Sequence, residues 1–496
     1  MRRPASMSDP RFMIARMFDD CSAAEVVDRL CGAARAENAS AGARLDAIGE
    51  LYARRLCAGA DRELWAIDAT SAVVAEVASA LAIGTGLAAS YVFYAQAMRY
   101  RLPAVGALLR AGDIGYLLFQ AIVHRTDLIT DPEALADVDA ELALTITGWP
   151  SLTRAKLNGR IDQVVARRDP DAVRRRRQSH EDRRVSLTDG GDGITELFGR
   201  LFTLDAHRLD TRLDAIAGTV CDHDPRNRGQ RRADALGALV AGSDRLACRC
   251  ARPDCPAGTA PPAAPVVIHV LARQEGLDGS TADPGVALDS NALIPAELLA
   301  EVAATAALHP LAIPANAPEH RYRPSKALAD FVRARHLTCR FPGCDVPAAD
   351  CDLDHTTPYA EGGKTHASNL KAMCRRDHLL KTFWGWQDKQ LPDGTLIWTA
   401  PTGHTYITTP GSALLFPHLC APTGDLAPPP PRAADPCTDR TAMMPRHRHT
   451  RARNRADYVA AERRRNRTAR HTPSPTRHAR TIPAADGEPD GDPPPF

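Results

Sequence analysis

A mainly α protein is expected, on three features of the chain. Much of its 44% hydrophobic content is alanine and only 5% is aromatic, a balance that suits packed helices better than a sandwich or barrel. Apolar residues recur at helical spacing from Ser22 to about Val165. The 496 residues exceed the roughly 250 to 300 that one hydrophobic core supports, so two to four domains are expected.

In chain order, residues 1–20 read as disordered, and MRRPASMSDPRF has no apolar run behind its arginines to make a secretory signal. Ser22-Ala-Ala-Glu25 fits a capping box that opens the first helix. A helical domain is expected over 21–190, broken at Gly59 to Asp61, Gly84 to Gly86, Arg101-Leu-Pro103 and Gly148-Trp-Pro150. Its least charged window, Val77 to Ala97, is rich in Ala, Gly, Ser and Thr and reads as soluble helix, so no membrane partner is expected. The apolar segments either side of Gly84-Thr-Gly86 allow a DNA-binding helix-turn-helix or an ordinary helical hairpin; the second helix carries little basic or amide chemistry, which favours the hairpin. The run from Arg167 to Arg184 reads as a solvated helix or linker at a domain boundary.

A smaller α+β unit, or an extension of the helical domain, is expected over 191–325. Ile194 to Ala217 and Ile294 to Ala307 show helical spacing, and Val266 to Leu271 is a strand candidate. Cys248, Cys250 and Cys255 either form half a metal site, with Cys221 or a histidine as fourth ligand, or share a reduced loop. Thirteen cysteines in this context point to reduced thiols and metal ligands, and to the cytoplasm. From 411 to 496 the chain reads as a disordered tail rich in proline and arginine, with only a short possible helix around Ala456 to Arg465. Between Thr441 and Arg480 twelve arginines face two acids, Asp457 and Glu462, a basic arm suited to polyanions and expected to raise DNA affinity.

The densest chemistry lies in the domain expected over 326–410. Cys339-x4-Cys344 brackets a turn, and Cys374 is followed by Asp377 and His378 at helical spacing. A tetrahedral zinc joining turn to helix explains those intervals and would stabilise a segment too small to fold on its apolar surface alone. A second set follows the order Asp354-His355, Asn369, His378. Cys351-Asp-Leu reads as a short strand, Glu361-Gly-Gly-Lys364 turns the chain, and Ser368-Asn-Leu370 opens the helix that carries Cys374 and His378. Arg333, Arg335, Arg340, Lys364, Lys371, Arg375, Arg376 and Lys381 surround the motif as candidate phosphate contacts. Pro392-Asp-Gly394 reads as a hairpin turn whose flanking tryptophans close the small core.

This segment resembles the HNH endonuclease domain in its zinc-bound form. The order of a long Ala-rich helical region, Cys-x-Cys-x4-Cys, CRFPGC, DLDH, LKAMC, LKTFWGW and a later AERRRNR resembles actinobacterial HNH proteins with a large amino-terminal domain of unknown function, mycobacterial repeat-family members linked to a mobile element among them. The resemblance implies a ββα-metal fold acting on DNA with Mg²⁺, Mn²⁺ or Ni²⁺ at the catalytic site and Zn²⁺ as structural ion. His355 would be the general base, Asp354 and His378 would hold the catalytic metal, and Asn369 would position the loop or ligate the metal. Cys339, Cys344 and Cys374 would bind zinc, completed by Asp377 or, alternatively, by His378. Arg340, Lys371, Arg375 and Lys381 would contact DNA. The competing readings are a zinc-stabilised DNA-binding protein without catalysis and an RNA-directed nuclease; a protein partner or self-association through the helical domain stays open.

Overall fold

The structure, a computed structural model, describes residues 21–58, 62–150, 152–173, 184–189, 193–201, 203–257, 269–289, 292–304, 306–424, 426 and 443–471. The expectations for residues 1–20, the centre of the basic run, Val266 to Ile268, and the tail at 427–442 and 472–496 lie outside them.

Helices dominate the amino-terminal region: α1 (Ala23–Ala58), α2 (Ala69–Leu81), α3 (Thr85–Gln96) running into a π-turn at Ala97–Arg101, α4 (Pro103–Ala111), α5 (Tyr116–Thr126), α6 (Pro132–Thr145) and α7 (Arg154–Arg168). The capping box forms as read: Ser22 N–H donates to Glu25 Oε2 at 2.7 Å and Glu25 N–H to Ser22 Oγ at 3.3 Å. Leu45, Val73, Val92, Met98, Phe119, Ile122, Leu142 and Val165 meet in one core. The Asp139 carboxylate of α6 accepts from Ala104 N–H and Val105 N–H at 2.8 and 2.9 Å, satisfying two free donors at the start of α4. α3 buries Ala88, Val92, Tyr94 and Ala95 in this core, and Tyr94 Oη lies 3.0 Å from His124 Nε2. Among the described residues no single helix is long and apolar enough to cross a membrane; α2 and α3 with its π-turn pass only together, bent by 114°.

The middle region departs from the expected helices at two places. Thr195–Arg200 (β2) pairs antiparallel with Arg184–Asp189 (β1), and only Thr203–Ala217 (α8) is helical. Gly193, just before β2, takes φ 71°, and a Cβ there would fall 2.3 Å from Pro295 Cδ. α9 (Arg228–Val240) packs on α8, followed by a three-stranded sheet of Val270–Leu271 (β3), Gly285–Ala287 (β4) and Leu293–Ile294 (β5), with the single-turn α10 (Gln274–Leu277) between β3 and β4. Ile294 is strand rather than helix because Pro295 follows it and disfavours helical backbone; α11 spans Ala296–Ala303.

After α12 (Lys326–His336), Asp352–His355 (β6) pairs antiparallel with Leu370–Met373 (β7), placing His355 opposite Leu370. Leu370–Met373 was expected at the start of a helix. It is the return strand, and α13 (Arg375–Phe383) begins only after Cys374, its N-cap. β8 (Gln387–Gln390), β9 (Leu396–Thr399) and β10 (Thr405–Thr408) complete a three-stranded sheet, one strand more than the expected hairpin. Trp384, Trp386 and Trp398 are buried in a core that also takes in Trp65, Ile67, Ala69 and Ala72 of the helical region.

The carboxy-terminal part differs most from expectation. Phe416 and Leu419 are buried against α12 residues, and Arg451–His471 forms a helix, α14. Val459 enters the main helical core. Arg451 pairs with Asp68, Arg455 with Asp127, Arg463 with Asp169, and Arg467 and Arg470 with Asp171. Five arginines of the expected loose polyanion-binding arm instead neutralise carboxylates that the helical region presents to them.

Candidate metal and catalytic site

The hairpin, its preceding turn and α13 bring the residues of the motif together. Cys339 and Cys344 approach from the turn before β6, and Cys374 and Asp377 from the start of α13; one ligand atom from each lies within 4.8 Å of all the others. Asp377 Oδ2 is 3.4 Å from Cys339 Sγ and 3.1 Å from Cys374 Sγ. Three thiols and a carboxylate within such a radius fit a tetrahedral zinc. Arg376 donates to both Asp377 oxygens, at 2.8 and 3.1 Å, while burial pushes the Asp377 carboxyl up. Cys351 stands outside this group, with its sulfur near Val346 O. His378 also stands outside it and faces Asp354, so of the two ways of completing the zinc site the geometry favours Asp377.

The second set lies on the other side of α13. Asp354 Oδ1 is 3.4 Å from His378 Nε2. Adjacent ligands of an octahedral ion at about 2.1 Å lie about 3 Å apart, so these two atoms fit one shared divalent cation. His378 Nδ1 has no hydrogen-bond partner and lies 3.9 Å from the Asp352 carboxylate. Burial lowers the His378 imidazole, opposed by Asp354, and that direction suits a metal ligand.

Asp354 Oδ2 is differently employed. Lys371 Nζ and Lys381 Nζ each approach it at 2.7 Å, and both also pair with Asp388, at 2.8 and 3.1 Å. Burial alone would raise the Asp354 carboxyl, but these ammonium groups and His378 hold it well below the usual carboxylate range. Lys371 is fully buried and Lys381 is 15% exposed, so neither is placed to meet DNA as expected. Arg340 is corrected likewise: it is buried and donates to Thr408 Oγ1 at 3.1 Å. Arg335 is buried as well, while Arg375 and Lys364 face solvent. Asp388, which the sequence reading missed, closes the network from β8. Period-two alternation sets Asp388 and Gln390 on one face of that strand, which was the available signal.

His355 is 5% exposed and lies under Tyr322, ring centroids 5.4 Å apart and nearly parallel. Its Nε2 is 3.0 Å from Thr365 Oγ1, which donates its proton to Tyr322 O at 3.3 Å. Thr365 therefore accepts from His355 Nε2–H, leaving Nδ1 unprotonated. Burial lowers the imidazole, opposed by Asp354. Asn369 clamps the chain after His355. Its Nδ2 donates to Thr357 O at 3.0 Å and Lys364 O at 2.9 Å, and its Oδ1 accepts from Thr357 N–H at 2.8 Å. With its amide fully engaged, Asn369 holds the loop rather than offering a metal ligand.

A two-stranded hairpin and a helix crossed by a Cys/Asp cluster define the HNH class, and residues 338–383 match the family described as HNH endonuclease. Residues 32–336 match the family described as Domain of unknown function (DUF222). The chain belongs to the family in which that domain precedes an HNH domain, a nuclease type that acts on nucleic acid. Among similar proteins of Mycobacterium tuberculosis, "Uncharacterized protein Rv2100" is 44% identical over 92% of this chain and 90% of its own length. "Uncharacterized protein Rv3776" is 44% identical over 95% and 94%. "Uncharacterized protein in est 3'region" is 40% identical over 66% of this chain and 99% of its own length. No solved structure matches the chain.

Proposed function

We propose that the protein is a metal-dependent endonuclease that hydrolyses phosphodiester bonds in DNA, with His355 as general base. The observation that carries this is the pairing of Asp354 Oδ1 with His378 Nε2 across β6 and α13, beside a His355 whose Nδ1 is the free base. His355 takes the proton of the attacking water on Nδ1, and Thr365 keeps the other ring nitrogen protonated. Asp354 and His378 would hold a divalent cation, which would supply charge neutralisation for phosphodiester hydrolysis. Asn369 keeps the strand exit in place. Arg375 and Lys364, exposed beside the site, make sequence-independent phosphate contacts. Cys339, Cys344, Cys374 and Asp377 would hold a zinc that ties the turn to the helix.

The test is plasmid nicking by chelator-stripped protein resupplied with Mg²⁺, Mn²⁺ or Ni²⁺. His355→Ala is expected to lower the rate by about 10² to 10⁴-fold while zinc content stays at the wild-type level; an unchanged rate refutes the assignment. One observation favours a second reading, a DNA-binding protein without catalysis: Asp354 Oδ2 already sits between two ammonium groups. Wild-type protein that binds DNA and cuts neither DNA nor RNA with any of the three metals would establish that reading, and preferential RNA cleavage would reassign the substrate.

A further inference from the structure

Far from the HNH motif in sequence, four thiols converge in the DUF222 region. The turn after α8 carries Cys221, and the loop after α9 carries Cys248, Cys250 and Cys255. Their four sulfur atoms all lie within 4.8 Å of one another, and Cys221 Sγ is 3.5 Å from Cys248 Sγ. A zinc ion about 2.3 Å from four thiolates sets the sulfurs about 3.8 Å apart, whereas a disulfide needs about 2.05 Å. All four cysteines are free thiols.

The surrounding backbone is arranged around this convergence. The Asp224 carboxylate accepts from Arg249 N–H at 2.9 Å, between Cys248 and Cys250, and pairs with Arg226 at 2.7 Å. Arg226 in turn donates to Ala247 O and to Asp234 of α9, each at 2.6 Å. Asp224 is 0% exposed and Arg226 9%, so one buried ion pair joins the Cys221 turn to the Cys248 loop. Leu246 N–H donates to Thr219 Oγ1 at 2.9 Å, a second tie between the same two stretches. Directly after Cys250, Ala251 takes the left-handed φ of 53°, which bends the chain back so that Cys255 joins the cluster.

The apolar content of this unit is small. Ile216, Ala217, Ala235 and Leu246 are the buried members of its hydrophobic cluster, too little apolar surface to offset the ordering of about fifty residues. Thr203 to Ala257 holds nine arginines against eight aspartates, a balance that points to internal ion pairing rather than to polyanion binding. A tetrathiolate ion would supply the missing folding free energy, and soft thiolate ligands in a closed tetrahedral set select zinc.

We propose that Cys221, Cys248, Cys250 and Cys255 bind a structural Zn²⁺ that holds α8, α9 and their two loops together, separate from the zinc of the HNH domain and independent of whether the protein cuts DNA. The test is elemental analysis of the untagged full-length chain. Wild type is expected to hold about two zinc ions per chain, Cys250→Ser about one, and Cys344→Ser about one through loss of the other site. Cys250→His, which restores a ligand, is expected to hold two, as are Cys31→Ser and Cys57→Ser, which alter exposed thiols outside both clusters. In parallel, mass-spectrometric mapping of alkylation on wild-type protein is expected to show the four cysteines protected until chelator is added, a readout that does not depend on the variants folding. If wild type holds a single zinc, its loss with Cys250→Ser supports the proposal and its loss only with Cys344→Ser overturns it. Wild-type zinc content in Cys250→Ser, iron in place of zinc, or equal alkylation of the four thiols with and without chelator would also overturn it.

Discussion

Thr365 shows how one hydroxyl can decide the chemistry of a neighbour. With its proton on Tyr322 O, it accepts from His355 Nε2–H, the tautomer that the proposed base at Nδ1 requires. Thr365→Val removes that acceptor and is expected to lower nicking roughly 10- to 100-fold, with Thr365→Ser restoring most of it and zinc content unaltered; a rate for Thr365→Val within about twofold of wild type would show that the tautomer is set elsewhere. His336 gives a prediction about stability. It is fully buried, and its Nδ1 accepts from Ala372 N–H at 3.1 Å, which only the neutral ring can do. Burial, with Arg335, Arg340 and Lys371 adding to it, lowers its pKa well below the ordinary value. The native state therefore binds fewer protons than the unfolded chain. The stability that depends on the neutral ring is fully present above about pH 6.5 and is lost as pH falls toward the folded value, by up to about 1.4 kcal/mol per pH unit. Thermal melts between pH 7 and pH 5 are expected to show this slope, and His336→Asn to flatten its share.

At the level of elements, α14 reverses the expectation most directly. The sequence of residues 451–471 is so rich in arginine that it reads as part of a solvated arm with at most a short helix around Ala456 to Arg465, yet four carboxylates, before α2, after α5 and after α7, meet a longer helix there. Asp68, Asp127, Asp169 and Asp171 lie almost 300 residues or more from their partners in the chain, so local composition carries no trace of the pairing. Val459 is 6% exposed in the helical core, and Val459→Ala is expected to cost about 1 to 3 kcal/mol. Truncation after residue 450 is expected to lower the melting temperature of the helical region by several degrees, more at low salt than at high. An unchanged melting temperature would mean that the helix is not docked in solution. The hairpin of the HNH domain was more legible. The intervals between Cys339, Cys344, Asp354-His355 and Cys374 fit a turn, a strand and a helix, though Leu370–Met373 belongs to the return strand because its partner is β6.

Across the whole molecule, the HNH domain and the helical region share a core. Trp384 Nε1 donates to Ile67 O at 3.0 Å, and Trp65 packs edge-on against Phe383 and Trp384. At the same junction Gly343, in the turn between Cys339 and Cys344, takes φ 75°, and a Cβ there would fall 2.7 Å from Ile83 O in the loop between α2 and α3. Gly343→Ala is expected to destabilise the full chain by roughly 1 to 3 kcal/mol through strained backbone and forced separation of the two regions. Denaturant melts measure the loss, and limited proteolysis should show earlier cleavage between them; a wild-type melt would mean that the regions do not pack this way.

The candidate residues and their order were legible in the sequence alone: three thiols with Asp377 or His378 at turn-to-helix spacing, and Asp354, His355, Asn369 and His378 around a hairpin. Those signals are local, because metal ligands and tight turns impose short intervals wherever they occur. Only the tertiary structure decided which charges are free to act. Lys371, Lys381 and Arg340 look like phosphate contacts in the sequence, yet they lie inside the fold, where Asp354, Asp388 and Thr408 occupy them. Five arginines of α14 are taken up by carboxylates of the helical region in the same way. A charge in a sequence has a sign but no partner, and partners here come from strands and helices that fold together across long stretches of chain.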